Sequence, residues 1–103
     1  MLICIDYDDT YTKDSLLWNT FIASAKARNH KVICCTMRYE MEGEEVEQTI
    51  GKVVDAIYFT CRGSKKGFLN KLNIFPDIWI DDEPSFILYG SDNCQIIGDN
   101  INE

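Results

Sequence analysis

The chain has 103 residues, 46% of them hydrophobic, and a formal net charge of −7. That length sets one domain, residues 1–103, with a core of its own, and that composition excludes a disordered chain. The acidic balance argues against long nucleic acid as a non-specific partner, because neutralising phosphates takes a basic surface, and no apolar run reaches the length of a bilayer span.

Residues 2–6 read as a strand, an apolar run that stops at three acids, Asp6, Asp8 and Asp9. After a loop, Asp14 or Ser15 can cap a helix over about 15–28, with Leu16, Leu17, Phe21, Ile22 and Ala25 on its apolar face. Lys31 to Cys35 is a second strand ending at Thr36, and Met37 to Gly43 a polar loop. Glu44 to Val53 has a helical pattern with acids at its start, as the helix dipole favours. Ala56 to Thr60 is a third strand, Ser64 caps a helix through Leu72, and Asp77 to Ile80 is a fourth strand ending in Asp81 and Asp82. Pro84 suits the first turn of a short helix. Gln95 to Ile97 is a fifth strand, before a polar tail. Strands alternating with helices predict an α/β fold whose parallel sheet has helices on both faces.

Cysteine usage is consistent with a reducing compartment. Cys4, Cys34 and Cys35 lie inside apolar runs, where cysteine acts as a small hydrophobe. With no C-x-x-C spacing and His30 as the one histidine, a zinc site is not expected, and structural thiols are preferred to disulfides. The N-terminus lacks the basic region and long apolar stretch of a signal peptide, so a cytoplasmic location and no membrane partner are expected.

Chemistry concentrates at the strand ends. In a parallel sheet these ends share one edge, the edge where open α/β folds place ligands. Asp6 and Asp8 are two apart, so on continued strand geometry they share a direction. Crowded carboxylates repel unless a cation or a shared proton intervenes, which suggests a hard divalent metal. Strand two adds Thr36 and Arg38, strand four adds Asp81 and Asp82, and Lys65-Lys66 opens the third helix.

In this set of motifs the chain resembles the haloacid dehalogenase (HAD) superfamily. The family's strand followed by Asp-x-Asp-x-Thr is matched by Asp6, Asp8 and Thr10, its strand-terminal Thr or Ser by Thr36, its lysine by Lys65 or Lys66, and its acidic pair by Asp81 and Asp82. All four occur in order over nearly the whole chain. The Trp79–Pro84 run resembles small members from phages and bacteria. Asp9 departs from the pattern, since most members have glycine there; the side chain is expected to point outward, and what is at stake is the loop's backbone geometry.

The resemblance implies a Rossmann-like three-layer α/β/α sandwich with a five-stranded parallel sheet and no cap domain. It implies a phosphatase in which Asp6 attacks phosphorus to give an aspartyl-phosphate and Asp8 moves the proton. It also implies Mg²⁺ held by Asp6, the Asp8 carbonyl, Asp81 and Asp82, with Thr36 and Lys65 binding phosphoryl oxygens. Lys65 fits the family spacing better than Lys66. Thr10, Arg38 and Lys66 are expected on the substrate; a guanidinium suits a second phosphate or a base edge, and Arg62 is a weaker candidate. Tyr7, Tyr11 and Tyr39 either stack on a base or cover core. Trp18 and Trp79 are read as core.

The loops after Thr10 and before Ser64 are too short for a cap. An open site suits a phosphorylated small molecule, a nucleic-acid end, or closure by a second subunit of a homo-oligomer. Two rivals stand beside the phosphatase. One is a HAD-fold binding module that holds a phosphorylated ligand or partner without turnover; an intact Asp6/Asp8 pair counts against it. The other is a receiver-type phosphoacceptor, which would place its aspartate at the end of strand three, where this chain has Thr60.

Overall fold

Apolar runs too short for helices and rich in Ile, Val and Cys pair most favourably as buried parallel strands. In the computed structural model, which describes residues 1–90, four of them do so. They are β1 (Leu2–Ile5), β2 (Lys31–Thr36), β3 (Ala56–Phe59) and β4 (Ile78–Ile80). All neighbours are parallel, in the order β3-β2-β1-β4. This is an α/β protein with a parallel sheet, an arrangement compatible with a Rossmann-like fold. Four strands stand where five were expected; the predicted fifth, residues 95–97, and the tail lie outside the described residues.

The helices are α1 (Ser15–Ala27), α2 (Glu44–Gln48), α3 (Lys65–Lys71) and α4 (Ser85–Leu88). Alternating strand residues separate two cores. On one face Ile3, Ile5, Val32 and Cys34 pack with Ile22 and Ala25 of α1, and with Val46 and Ile50. On the other, Cys4, Ile33 and Cys35 pack with Leu69 of α3, and Trp79 leans on them. Cys4, Cys34 and Cys35 are buried free thiols, as expected.

Two helices depart from their expected form. On α1, Leu16 and Leu17 are 78% and 54% exposed, and the buried stripe is Ile22 and Ala25, with Trp18 and Phe21 against the core. Periodicity selects a face but not the stretch of helix that lies over the sheet. The helix predicted over 44–53 stops at Gln48 and resumes as a 3-10 turn, Ile50–Lys52. The Thr49 hydroxyl donates to the Glu45 carbonyl at 2.6 Å, a back-bond that competes with the helical ladder, and Gly51 follows.

The loop from Met37 to Gly43 contains a 3-10 turn, Glu40–Glu42. Gly43 is buried there, and the Phe59 ring lies too close to it to admit a Cβ. No helix among the described residues is long and apolar enough to cross a membrane.

Candidate active site

The carboxyl edge of the sheet hangs its functional residues on the last rungs of the ladder. The Asp6 amide donates to the Ile80 carbonyl at 2.9 Å, and the Thr60 amide to the Thr36 carbonyl at 2.9 Å. Asp6, Thr36 and Thr60 are buried, and Asp81 directly follows Ile80 at the end of β4. The chain then turns sharply at Asp9, whose φ is 62°. That left-handed conformation favours glycine. Asp9 tolerates it as Asp does better than most residues, its side chain is exposed, and its amide donates to the Thr12 hydroxyl at 2.9 Å.

Lys65 is the hub. Ser64 caps α3 by accepting from the Gly67 amide at 3.3 Å, and the first helical residue, Lys65, is 2% exposed. Its ammonium donates to Asp6 Oδ1 and to Asp81 Oδ2, both at 2.6 Å. Burial alone would pull that ammonium's pKa down; the two carboxylates outweigh it and hold it above the usual lysine value. Lys66 is exposed and does not line the cavity, so the lysine of this site is Lys65.

Asp6 uses its other oxygen, Oδ2, to accept from Thr10 Oγ1 at 2.9 Å. The same hydroxyl lies 3.1 Å from Asp82 Oδ1 and accepts from the Asp82 amide at 3.1 Å. One hydroxyl proton therefore faces two carboxylates. Thr10 joins the two acidic segments, and it does not line the cavity where substrate was expected to meet it. Carboxylate oxygens of Asp6, Asp81 and Asp82 lie within 4.8 Å of one another, a group that could hold a metal ion. Burial raises the Asp6 pKa to about 6; Lys65 opposes the rise, and Asp81 and Asp82 add to it.

Asp8 stands apart from this triad. Its carboxylate accepts from Arg38 Nε at 3.0 Å and from Nη2 at 2.7 Å, a two-pronged pair. Arg38 spends its remaining nitrogen on the Glu42 carbonyl at 2.8 Å and on Glu45 at 3.0 Å, and its guanidinium sits 5.2 Å from the Tyr7 ring centre. The Asp8 hydrogen bond, against the opposing cost of burial, raises the Arg38 pKa further. Arg38, expected on substrate, pairs in this structure with Asp8 and Glu45. The tyrosines are engaged too: Tyr7 stacks on Tyr11 at 5.8 Å, and Tyr39 lies beneath Arg62.

Asp6, Asp8, Thr36, Arg38, Lys65, Asp81 and Asp82 line one open cavity of about 250 Å³. Thr36 is 1% exposed and accepts from the Arg38 amide at 3.3 Å, leaving its hydroxyl proton to donate. Asp9, Met37, Arg62, Glu83 and Phe86 complete the lining. Arg62, the weaker candidate from the sequence, follows the end of β3 as Arg38 follows the end of β2; nothing local marks Phe86. Among the described residues six acidic groups line the cavity against three basic ones, a balance that opposes an anionic ligand unless a cation is present. Comparison of the chain with protein-family models, with curated proteins and with solved structures gave no match.

Proposed function

We propose that this chain is a capless, Mg²⁺-dependent phosphatase of the haloacid dehalogenase type, with a Rossmann-like α/β/α core, acting on the phosphomonoester of a nucleotide or a nucleic-acid end. One observation carries the reading. Asp6, Thr36, Lys65 and Asp81-Asp82 come from three strand ends and a helix start into one cavity of about 250 Å³, with a single buried ammonium bridging two of the acids.

In this mechanism a carboxylate oxygen of Asp6 attacks phosphorus, the ester P–O bond breaks, and Asp8 gives its proton to the leaving oxygen. Asp8 then takes a proton from water, which attacks the aspartyl-phosphate and releases inorganic phosphate and Asp6. To do this Asp8 has to leave the Arg38 pair. Lys65 and the Thr36 hydroxyl bind phosphoryl oxygens. The donor set fits Mg²⁺: hard carboxylate oxygens, more acids than bases, and one hydroxyl proton for two carboxylates. Asp6, Asp81 and Asp82 would hold it, and when bound it would offset the repulsion between an anionic nucleophile and an anionic ester.

The raised Asp6 pKa of about 6 gives this reading a pH signature. A proton on Asp6 competes with a cation for the same carboxylate. Mg²⁺ affinity should rise with pH, about tenfold per unit at most, up to about 6, and level off above. Calorimetric titration from pH 5 to 8 reads it, and a flat profile would remove Asp6 from the ligand set.

The Asp8–Arg38 pair favours a second reading, a binding module that retains a phosphorylated ligand without turnover, since such a protein needs no free acid. A phosphomonoester panel with Mg²⁺, run on the native chain and on Asp8→Asn, separates the two. Product release that Asp8→Asn suppresses supports the phosphatase; tight retention with no product supports the binder.

A further inference from the structure

Among the described residues three basic groups line the cavity, and two of them have roles already: Lys65, which holds Asp6 and Asp81 and meets the transferred phosphoryl group, and Arg38, which holds Asp8 and Glu45. The third is Arg62. Its Nη1 donates to the Met37 carbonyl at 3.0 Å and its Nη2 to the two Glu42 oxygens at 3.2 Å. A guanidinium has five N–H donors, so Arg62 keeps donor capacity while lining open space. Among the described residues it forms an ion pair with Glu42, and both side chains are 41% exposed. Ion pairs of that kind contribute little and exchange readily for a better anion.

Arg62 is nonetheless built into place. Cys61 and Arg62 both have left-handed backbones, φ 56° and 69°, a conformation that costs non-glycine residues energy and persists only where surroundings enforce it. Here the Arg62 amide donates to the Met37 carbonyl at 2.8 Å, the Cys61 amide donates to the Arg38 carbonyl at 3.3 Å, and the guanidinium lies 5.0 Å from the Tyr39 ring centre. A strained turn, two carbonyl contacts and an aromatic bed hold one cation at the margin of the cavity. Phe86, 45% exposed, supplies an apolar aromatic surface in the same lining.

We propose that Arg62 is a specificity-determining residue that binds a second phosphate, carried on the leaving group of the substrate, by displacing Glu42. This rests on the phosphatase reading above and deepens it: the substrate is an organic bisphosphate or a phosphorylated strand end, whose further phosphate meets a planar cation suited to two-pronged contact. The cavity's excess of acids makes such a contact selective, because an anion without a partner there is repelled.

The test uses the full chain with Mg²⁺ and four probes: p-nitrophenyl phosphate, adenosine 5′-monophosphate, adenosine 3′,5′-bisphosphate and a 3′-phosphorylated oligonucleotide. The selectivity ratio, kcat/KM for a probe with a second phosphate over that for p-nitrophenyl phosphate, should fall about 10- to 100-fold in Arg62→Gln, mainly through KM. Arg62→Lys should recover part of it. Glu42→Gln, which removes the competing charge but keeps an oxygen for the Tyr39 amide, should move KM the other way. Whether the bisphosphate or the oligonucleotide gains more tells the free from the strand-borne phosphate. Equal losses on all probes would make Arg62 a structural tie and overturn the proposal, as would an unchanged ratio. If no probe is turned over, the phosphatase reading fails by itself. Binding of the bisphosphate then decides on Arg62, with weaker binding in Arg62→Gln supporting it and equal binding overturning it.

Discussion

Asp6→Asn is expected to lower Mg²⁺-dependent phosphatase activity by about 10⁴-fold or more while the protein stays folded at neutral pH. An amide oxygen is a poor nucleophile, yet the side chain keeps its shape. Its one oxygen can still accept from Thr10, at the cost of the bond from Lys65, which retains Asp81 at 2.6 Å. The stability half of the expectation follows from linkage. Burial raises the Asp6 pKa from 3.8 to about 6, so the folded chain holds that proton more tightly than the unfolded one. The stability so contributed is complete below about pH 4 and lost as pH rises through about 6. Asparagine does not titrate. The stability of the metal-free variant should therefore depend less on pH between 4 and 6 than that of the native chain. Melting curves at pH 4.5 and 7.5 beside steady-state rates read both halves. A variant that still turns over removes Asp6 as nucleophile, and one that keeps the native pH dependence of stability between 4 and 6 contradicts the cost assigned to burying this carboxylate.

A reader of the sequence could locate Asp6, Thr36, Lys65 and Asp81 because each stands where an apolar run ends or a helix begins, and strand ends in a parallel sheet share an edge. The same logic extended to β3 reaches Arg62. The Asp8–Arg38 pair was not legible: the residues are 30 apart, and the contact depends on side-chain conformations across two loops. Guanidinium suits phosphate, so Arg38 reads as a substrate contact, and it suits carboxylate equally well; in the structure it pairs with Asp8. Leu16 and Leu17 were misread for a different reason. Their spacing fits the apolar stripe, while the contact with the sheet begins further along α1, at Trp18, Phe21 and Ile22. The break in α2 turns on one hydroxyl, Thr49, choosing a backbone carbonyl.

Lys65→Met should separate the structural and chemical work of the buried lysine. Methionine can fill the space of the lysine stem, but Asp6 and Asp81 then lose the ammonium that touches each at 2.6 Å. Stranding paired charges in a buried site costs about 3–5 kcal/mol, and urea unfolding of the metal-free variant should lose stability of that order at pH 7.5. Lys65 opposes the rise in the Asp6 pKa, so its removal should raise that pKa further. The loss should then shrink in acid, where Asp6 carries a proton. If the acids form a cation site, Mg²⁺ binds the folded chain and should stabilise the variant at saturating concentration. Activity should still fall, by about 10²- to 10³-fold, because a charge that stabilises the transferring phosphoryl group is gone. Lys66→Met is the control: that side chain is exposed and outside the cavity, so stability should stay within about 0.5 kcal/mol. Equal losses from the two substitutions would refute the assignment of Lys65 as the hub. A Lys65→Met protein that Mg²⁺ does not stabilise would refute the three acids as its ligands.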